Sequence, residues 1–372
     1  MSEVRTWASR ALGIALLTAS LAAVGCGSDG GGDDGSSADA LGSSPAKAGQ
    51  VKAGALDGEQ LTFVGFGGDP QKIQMDILSR FAEESGAELV DDSPSDYAKI
   101  KAQVESGNVT WDVVNVDSVW AAGHCDLLVK PDPKLINTAK LPAGIKTGPC
   151  GVPGDITGNV LAYDKAAAGD DPPTGWADFF DTEKYPGKRA VDGNSPIVVM
   201  EIALLADGVP PDELYPIDVD RALKKLDTIR DDLVFWTSGA QQQQMMESGQ
   251  VAMGVMWSGR VYYALQAGAD WGVAHQQPLL TTSMWVIPKG ARDPAAAMAM
   301  INYWQGAEQS AEFTEGTSYP GPNGDAKPDL DPAAQKVQIT EEPFADQLTV
   351  NDQFWSENLD RITDTWVNWT SG

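Results

Sequence analysis

Histidine is scarce in this chain: two residues, His124 and His275, in 372. So few imidazoles leave little general-base chemistry, and neither stands in a Ser/Asp pattern or a metal-ligand spacing. Carboxylate pairs remain available for acid–base work, which keeps an enzyme open as a distant reading. Basic residues are also short, 26 Lys and Arg against 53 Asp and Glu, for a net charge of −27. A surface of that sign argues against nucleic acid or an anionic membrane face as partner. It attracts small cations, and it also serves plain solubility. Cysteine amounts to three residues. No repeat of fixed period is visible, and the apolar run at residues 11–25 is short for a membrane span.

What is present begins with export. Arg5 and Arg10 ahead of residues 11–25 make a positive n-region and an apolar h-region. Ala23-Val24-Gly25-Cys26 resembles a bacterial lipobox, with Ala23 where leucine is more usual. The resemblance implies loss of residues 1–25 as a signal peptide and a diacylglycerol on Cys26. The product is anchored at the cell surface or in the periplasm, since two acyl chains hold where one does not. An ordinary signal peptide with an incidental cysteine is the alternative. With Cys26 so used, Cys125 and Cys150 remain as an even pair in an exported protein, which predicts a disulfide. A metal site beside His124 is the alternative, without a ligand spacing to support it. No metal and no cofactor is expected. Residues 26–58, rich in Gly, Ser, Ala and Asp, have no apolar periodicity. They read as a flexible tether reaching roughly 30 Å.

The body of the chain alternates strand and helix patterns. Residues 61–66 read as a strand. Asp69 and Pro70 suit the cap and first position of a helix, with Ile73, Ile77 and Phe81 on its apolar face and Gly86 at its end. A strand at 88–90, a helix at 97–105 and a strand at 111–116 complete a parallel β-α-β-α-β start. Further on, Ser248-Gly249 stops a helix, and residues 251–256 form a continuous apolar run read as a buried strand. Trp257 follows at its carboxyl end, then Ser258-Gly259-Arg260 and another helix. Ligands of open α/β sheets sit beyond strand carboxyl ends and near helix N-termini. Residues 359–369 read as a final amphipathic helix.

The segment around Trp257 resembles the ligand-binding stretch of spermidine/putrescine-type solute-binding proteins of ABC importers. Four further segments agree in order: Trp111-Asp112-Val113-Val114, Trp176-Ala177-Asp178-Phe179-Phe180 leading to Tyr185-Pro186-Gly187-Lys188-Arg189, Trp285-Val286-Ile287-Pro288, and Tyr319-Pro320-Gly321-Pro322-Asn323. They cover roughly residues 59–325. The resemblance implies an α/β, two-lobed, type II periplasmic-binding-protein-like fold, each lobe a mixed sheet flanked by helices. Lobe 1 would be residues 59–157 with 284–327, and lobe 2 residues 158–283 with 328–372. It further implies a monomer that is not an enzyme. Such a protein traps a small ligand by hinge closure and delivers it to a membrane permease.

The same resemblance places Phe66, Trp257 and Tyr319 in the cleft as aromatic contacts. Trp120, Asp117 and Ser118 lie past the third strand, at the ligand edge. Asp117, with Asp69 and Asp155 nearby, would pair with an amine. Acidic positions of polyamine binders fall here on Gly67, Gly68, Ser195, Val198 and Ser283, so a bound polyamine would lack carboxylate partners. Conversely, Gly65-Phe66-Gly67-Gly68 offers backbone N–H groups and Arg260 a guanidinium, a set suited to a carboxylate. A polyamine-type cation is the leading expectation. A carboxylated or zwitterionic solute is the alternative, and a receptor that only reports occupancy is a further one.

Overall fold

Alternating apolar runs and helical periods build the first part of the chain as predicted. The structure is a computed structural model and describes residues 46–339 and 347–372; Cys26 and the export segment lie outside the described residues. β1 (Gln60–Val64), α1 (Gly68–Ser85), β2 (Glu88–Asp92), α2 (Tyr97–Ser106) and β3 (Val113–Asp117) form a parallel unit in the order β2-β1-β3. Beyond them come α3 (Ser118–Gly123), β4 (Val152–Asp164), α4 (Lys165–Ala168), α5 (Trp176–Phe180), β5 (Arg189–Asp192), α6 (Val199–Ala206) and α7 (Val219–Asp227). Then follow β6 (Leu233–Trp236), α8 (Gly239–Ser248), β7 (Met253–Trp257), α9 (Ser258–Gln266), β8 (Trp271–Val273) and β9 (Leu279–Val286). α10 (Pro294–Trp304), α11 (Ala307–Thr317), α12 (Pro332–Val337), β10 (Leu348–Thr349) and α13 (Asp352–Ser371) complete the described chain.

Among the described residues the strands join in the order β2-β1-β3-β9-β4-β7-β5-β6, with β10 beside β9 and β8 beside β4. One half is the parallel set β2-β1-β3; the other is the parallel set β7-β5-β6. Between them lie β4 and β9, antiparallel to each other. β4 runs beside β9 as far as Asn159 and beside β7 from Asn159 on. β9 gives its last four residues to β3. The chain therefore leaves the first half on β4 and returns on β9. A third passage lies between Asn323, bonded to Ser310 and Gln305, and Asp331, bonded to Tyr262 and Gln266.

Each half has its own apolar interior. In the first, Phe63, Trp285, Trp304 and Phe313 form a chain of rings with centroids 4.6 to 5.2 Å apart. In the second, Phe179, Ile202, Leu226, Trp355 and Trp366 are fully enclosed. Ring and aliphatic burial on this scale is the main stabilising term of both halves.

Three boundaries differ from expectation, each for a local reason. Gly67, not Asp69, precedes the first turn of α1, because the Gln71 side chain accepts the Gly67 N–H at 2.7 Å. Asp69 sits inside that turn, paired with Lys72 at 2.7 Å. α13 starts seven residues ahead of its apolar pattern, where Asn351 caps it through the Phe354 N–H. The stretch read as tether is docked from residue 46 on. Val51 and Leu56 are buried, and the Asn302 side-chain amide donates to the carbonyls of Lys47 and Gln50 at 2.8 and 3.1 Å. Gly49 passes so close to Gly306 that a β-carbon on it would stand 2.8 Å from the Gly306 Cα. Two apolar anchors and one asparagine order a segment whose average composition predicts none.

Candidate functional site

A row of polar groups crosses the sheet where its two halves meet. Asp117 ends β3 and lies in register with Ser283 of β9. The Ser283 hydroxyl donates to Asp155 Oδ2 at 2.6 Å and accepts the Asp155 N–H at 3.1 Å. Asp155 occupies an irregularity of β4 between Pro153 and Ile156, the kind of bulge that re-aims a side chain. The bulge is braced from outside. Trp304 Nε1 donates to the Gly154 carbonyl at 2.7 Å, Gln305 Nε2 to the Pro153 carbonyl at 2.9 Å, and the Ile156 N–H to the Pro320 carbonyl at 2.9 Å. A side chain at 154 would collide with Trp285, whose Cδ1 lies 2.4 Å from the β-carbon position.

Asp117 is exposed to solvent, yet enclosure by protein raises its carboxyl above the usual range, against the Tyr97 hydroxyl that donates to it at 2.5 Å. Its carboxyl thus meets solvent while protein atoms crowd around it. Burial pushes Asp155 up to about 6, with the charge of Asp117 adding to the effect. Asp192, last residue of β5, is pushed up to about 6 by burial and again by Asp117. Asp352, at the start of α13, is raised by the same pair of causes. Four carboxylates thus face one region, and none of them has an ion-pair partner among the described residues.

The positive counterpart comes from α8 and α9. β7 ends on half-buried Trp257, whose N–H donates to Gln242 Oε1 at 2.9 Å. α9 begins at the next residue, and Arg260 lies in its first turn. The guanidinium lies over Gly239, first residue of α8, where a β-carbon would come within 2.3 Å of Arg260 Nε. Two helix N-termini, each bearing partial positive charge, therefore surround a cation. Arg260 has no ion pair among the described residues, and its Nε is buried without a hydrogen-bond partner. Tyr319 packs on Gly259, where a β-carbon would sit 2.4 Å from its ring. Burial raises its phenol; Asp155 pushes the same way and Arg260 the opposite way. Tyr319 is thus within electrostatic reach of both the cation and Asp155. Trp257 packs against the interiors of both halves and meets Trp236 edge-on at 5.3 Å.

The remaining expected contacts divide. Phe66 is 48% exposed, just past the end of β1. The N–H groups of Gly65 and Gly67 are taken by the Asp92 carbonyl and by Gln71, which removes two of the four backbone donors expected in that loop. Gly68 opens α1. Trp120 lies between Tyr97 and His124, stacked at 4.7 and 4.6 Å, so both ring faces are covered and only an edge can meet a solute. Ser118 donates to Asp352 at 2.8 Å. Ser195 is half-buried, its N–H donated to Asp192 and its hydroxyl accepting the Ile197 N–H. Asp192, Asp352 and Gln242 were not anticipated. Asp192 had one signal, a carboxylate at a strand end ahead of Gly193-Asn194; the other two lie in helices and had none. Cys125 and Cys150 are joined, with Cα atoms 5.5 Å apart, which decides between the disulfide and the metal reading. Among the described residues no group of three or more His, Cys, Asp or Glu side chains is placed to hold a metal ion.

Comparison with known proteins identifies the family. A family model described as bacterial extracellular solute-binding protein matches residues 77–341. The γ-aminobutyric acid-binding protein of Pseudomonas aeruginosa is 29% identical over 333 residues, covering 86% of this chain and 93% of that protein. The spermidine/putrescine-binding periplasmic protein of Escherichia coli is 22% identical over 297 residues, covering 76% and 83%. A solved GABA receptor structure superposes with a TM-score of 0.77 at 35% identity, covering 84% of this chain and 98% of that one. The match is to a mixed α/β periplasmic-binding-protein fold that binds rather than transforms its solute, with polyamine binders the more distant relatives. The chain belongs to the bacterial extracellular solute-binding proteins.

Proposed function

We propose that this protein captures a small zwitterion of the γ-aminobutyrate kind and delivers it to an ABC permease. The solute carboxylate would rest on Arg260 and its ammonium among Asp117, Asp155 and Asp192, with Trp257 and Tyr319 against the connecting carbons. One observation carries this reading: Arg260, without an ion pair among the described residues, lies against the N-terminus of a second helix, and Tyr319 is within electrostatic reach of both this cation and Asp155. A diamine would put its second charge against that cation. The polyamine expectation therefore gives way to its alternative, which the γ-aminobutyrate-binding relatives also favour. Capture would proceed by closure of two lobes about β4 and β9, with the domain limits given above. Lipid on Cys26 would keep the protein, as a monomer, at the membrane.

A thermal-shift and calorimetry panel tests the reading with γ-aminobutyrate, butyrate, butylamine and putrescine. At one hundred times Kd a true solute stabilises by about 2.7 kcal/mol. γ-Aminobutyrate is expected to give the largest shift; a panel in which only putrescine shifts the protein would restore the polyamine reading.

A further inference from the structure

The C-terminal helix joins the two halves of the sheet through its first turn. α13 belongs to the second half by most of its bonds. Trp355 Nε1 donates to Glu201 Oε1 at 2.6 Å, Trp366 Nε1 to the Gly193 carbonyl at 3.1 Å, and Trp369 Nε1 to Asp227 at 2.9 Å. The Tyr215 hydroxyl accepts the Asn351 N–H at 3.0 Å and donates to Glu201 at 2.7 Å. The first turn of α13 is thereby bolted to α6. Its Asp352 then reaches out of that half and accepts a hydrogen bond at 2.8 Å from Ser118, the first residue of α3.

The contact is a built one. Ser118 is 4% exposed, Val119 shares a buried cluster with Trp355, and a β-carbon on Gly123 would lie 3.5 Å from Ser356. The residue immediately before Ser118 is Asp117, the carboxylate that ends β3. Asp117 and Asp352 repel each other. Making the Ser118–Asp352 bond therefore brings two like charges together where protein partly screens them from water, and a cationic group at Asp117 offsets that cost.

We infer that Ser118 and Asp352 form a latch between the two halves, and that it closes firmly only over a solute carrying an ammonium group. The inference rests on the zwitterion reading for the identity of the solute. Asp352 is a positioning residue: it meets Ser118, not the solute, and it reads the solute's charge through Asp117. Selectivity for an amino acid over its des-amino analogue is then set partly by closure rather than wholly by contact.

The test uses the full chain and its S118A, D352A and D352N variants, with γ-aminobutyrate and butyrate as probes. Dissociation rates are read by stopped flow, affinities by calorimetry, and the radius of gyration without solute by X-ray scattering. S118A and D352A, which break the latch, are expected to speed γ-aminobutyrate release about tenfold. D352N keeps an acceptor for Ser118 and removes the charge. It is expected to reduce the preference for γ-aminobutyrate over butyrate by about threefold or more, and to lower the radius of gyration of the solute-free protein. A merely structural role would lower Tm in all three variants and leave both the release rate and the preference unchanged, which overturns the latch. If the unaltered chain ignores γ-aminobutyrate, the zwitterion reading falls on its own. The latch then stands or falls on whether D352N contracts the solute-free protein.

Discussion

At the scale of single residues, charge and burial act in opposite directions on function and stability. Arg260 has no counter-ion among the described residues to orphan, so replacing it should cost binding and little else. Arg260→Met is expected to weaken γ-aminobutyrate by about 100-fold, roughly 3 kcal/mol, with Tm without solute unchanged or higher; calorimetry and melting curves check both halves. Asp155 is the converse case. Its folded pKa of about 6 lies above the ordinary 3.8, so the folded chain favours the protonated form. Its contribution to stability is fully present below about pH 4 and is lost as pH rises through about 6. Asp155→Asn should therefore raise Tm at pH 8, by at most about 3 kcal/mol of stability, leave it unchanged near pH 4, and weaken ammonium binding. Trp257 and Arg260 were legible because a continuous apolar run announced the strand end they follow. The direction in which Asp155 points was not. It depends on a bulge whose brace, Trp304 and Gln305, lies 150 residues away in sequence.

At the scale of elements, short segments carry the site and borrow their rigidity. α3 has six residues and no side-chain cap, too few for a helix to hold itself. The Cys125–Cys150 bond ties the end of α3 to the approach of β4, across a sequence separation of 25. Replacing both cysteines by serine is expected to lower unfolding free energy by about 3 kcal/mol. Because α3 also holds Asp117 at its start, γ-aminobutyrate affinity should fall as well. Denaturant titration and calorimetry on the same sample separate the two losses. The cysteine pairing was readable from the count alone, once an export signal was recognised. The docked segment at 46–58 was not, since its order comes from Asn302 and Gln309 on distant helices and from Gly306 between them rather than from its own composition.

At the scale of the whole molecule, among the described residues two parallel sets of strands meet through β4 and β9, with α13 as an added tie on one flank. This arrangement predicts a contraction in scattering when γ-aminobutyrate is added and no contraction with butyrate, which lacks the ammonium for the carboxylate row. The alternation of strands and helices in residues 60–117 was plain from periodicity. The two passages between halves were legible only through resemblance, because no local pattern marks the residue at which a strand changes neighbours. The segment from residue 46 onward has a mechanical bearing on all this. Load applied to it enters the folded body beside Gly306, between α10 and α11, next to Trp304 and Gln305, which prop the Pro153–Gly154 backbone. A pull on that segment would therefore be felt first at the bulge that aims Asp155.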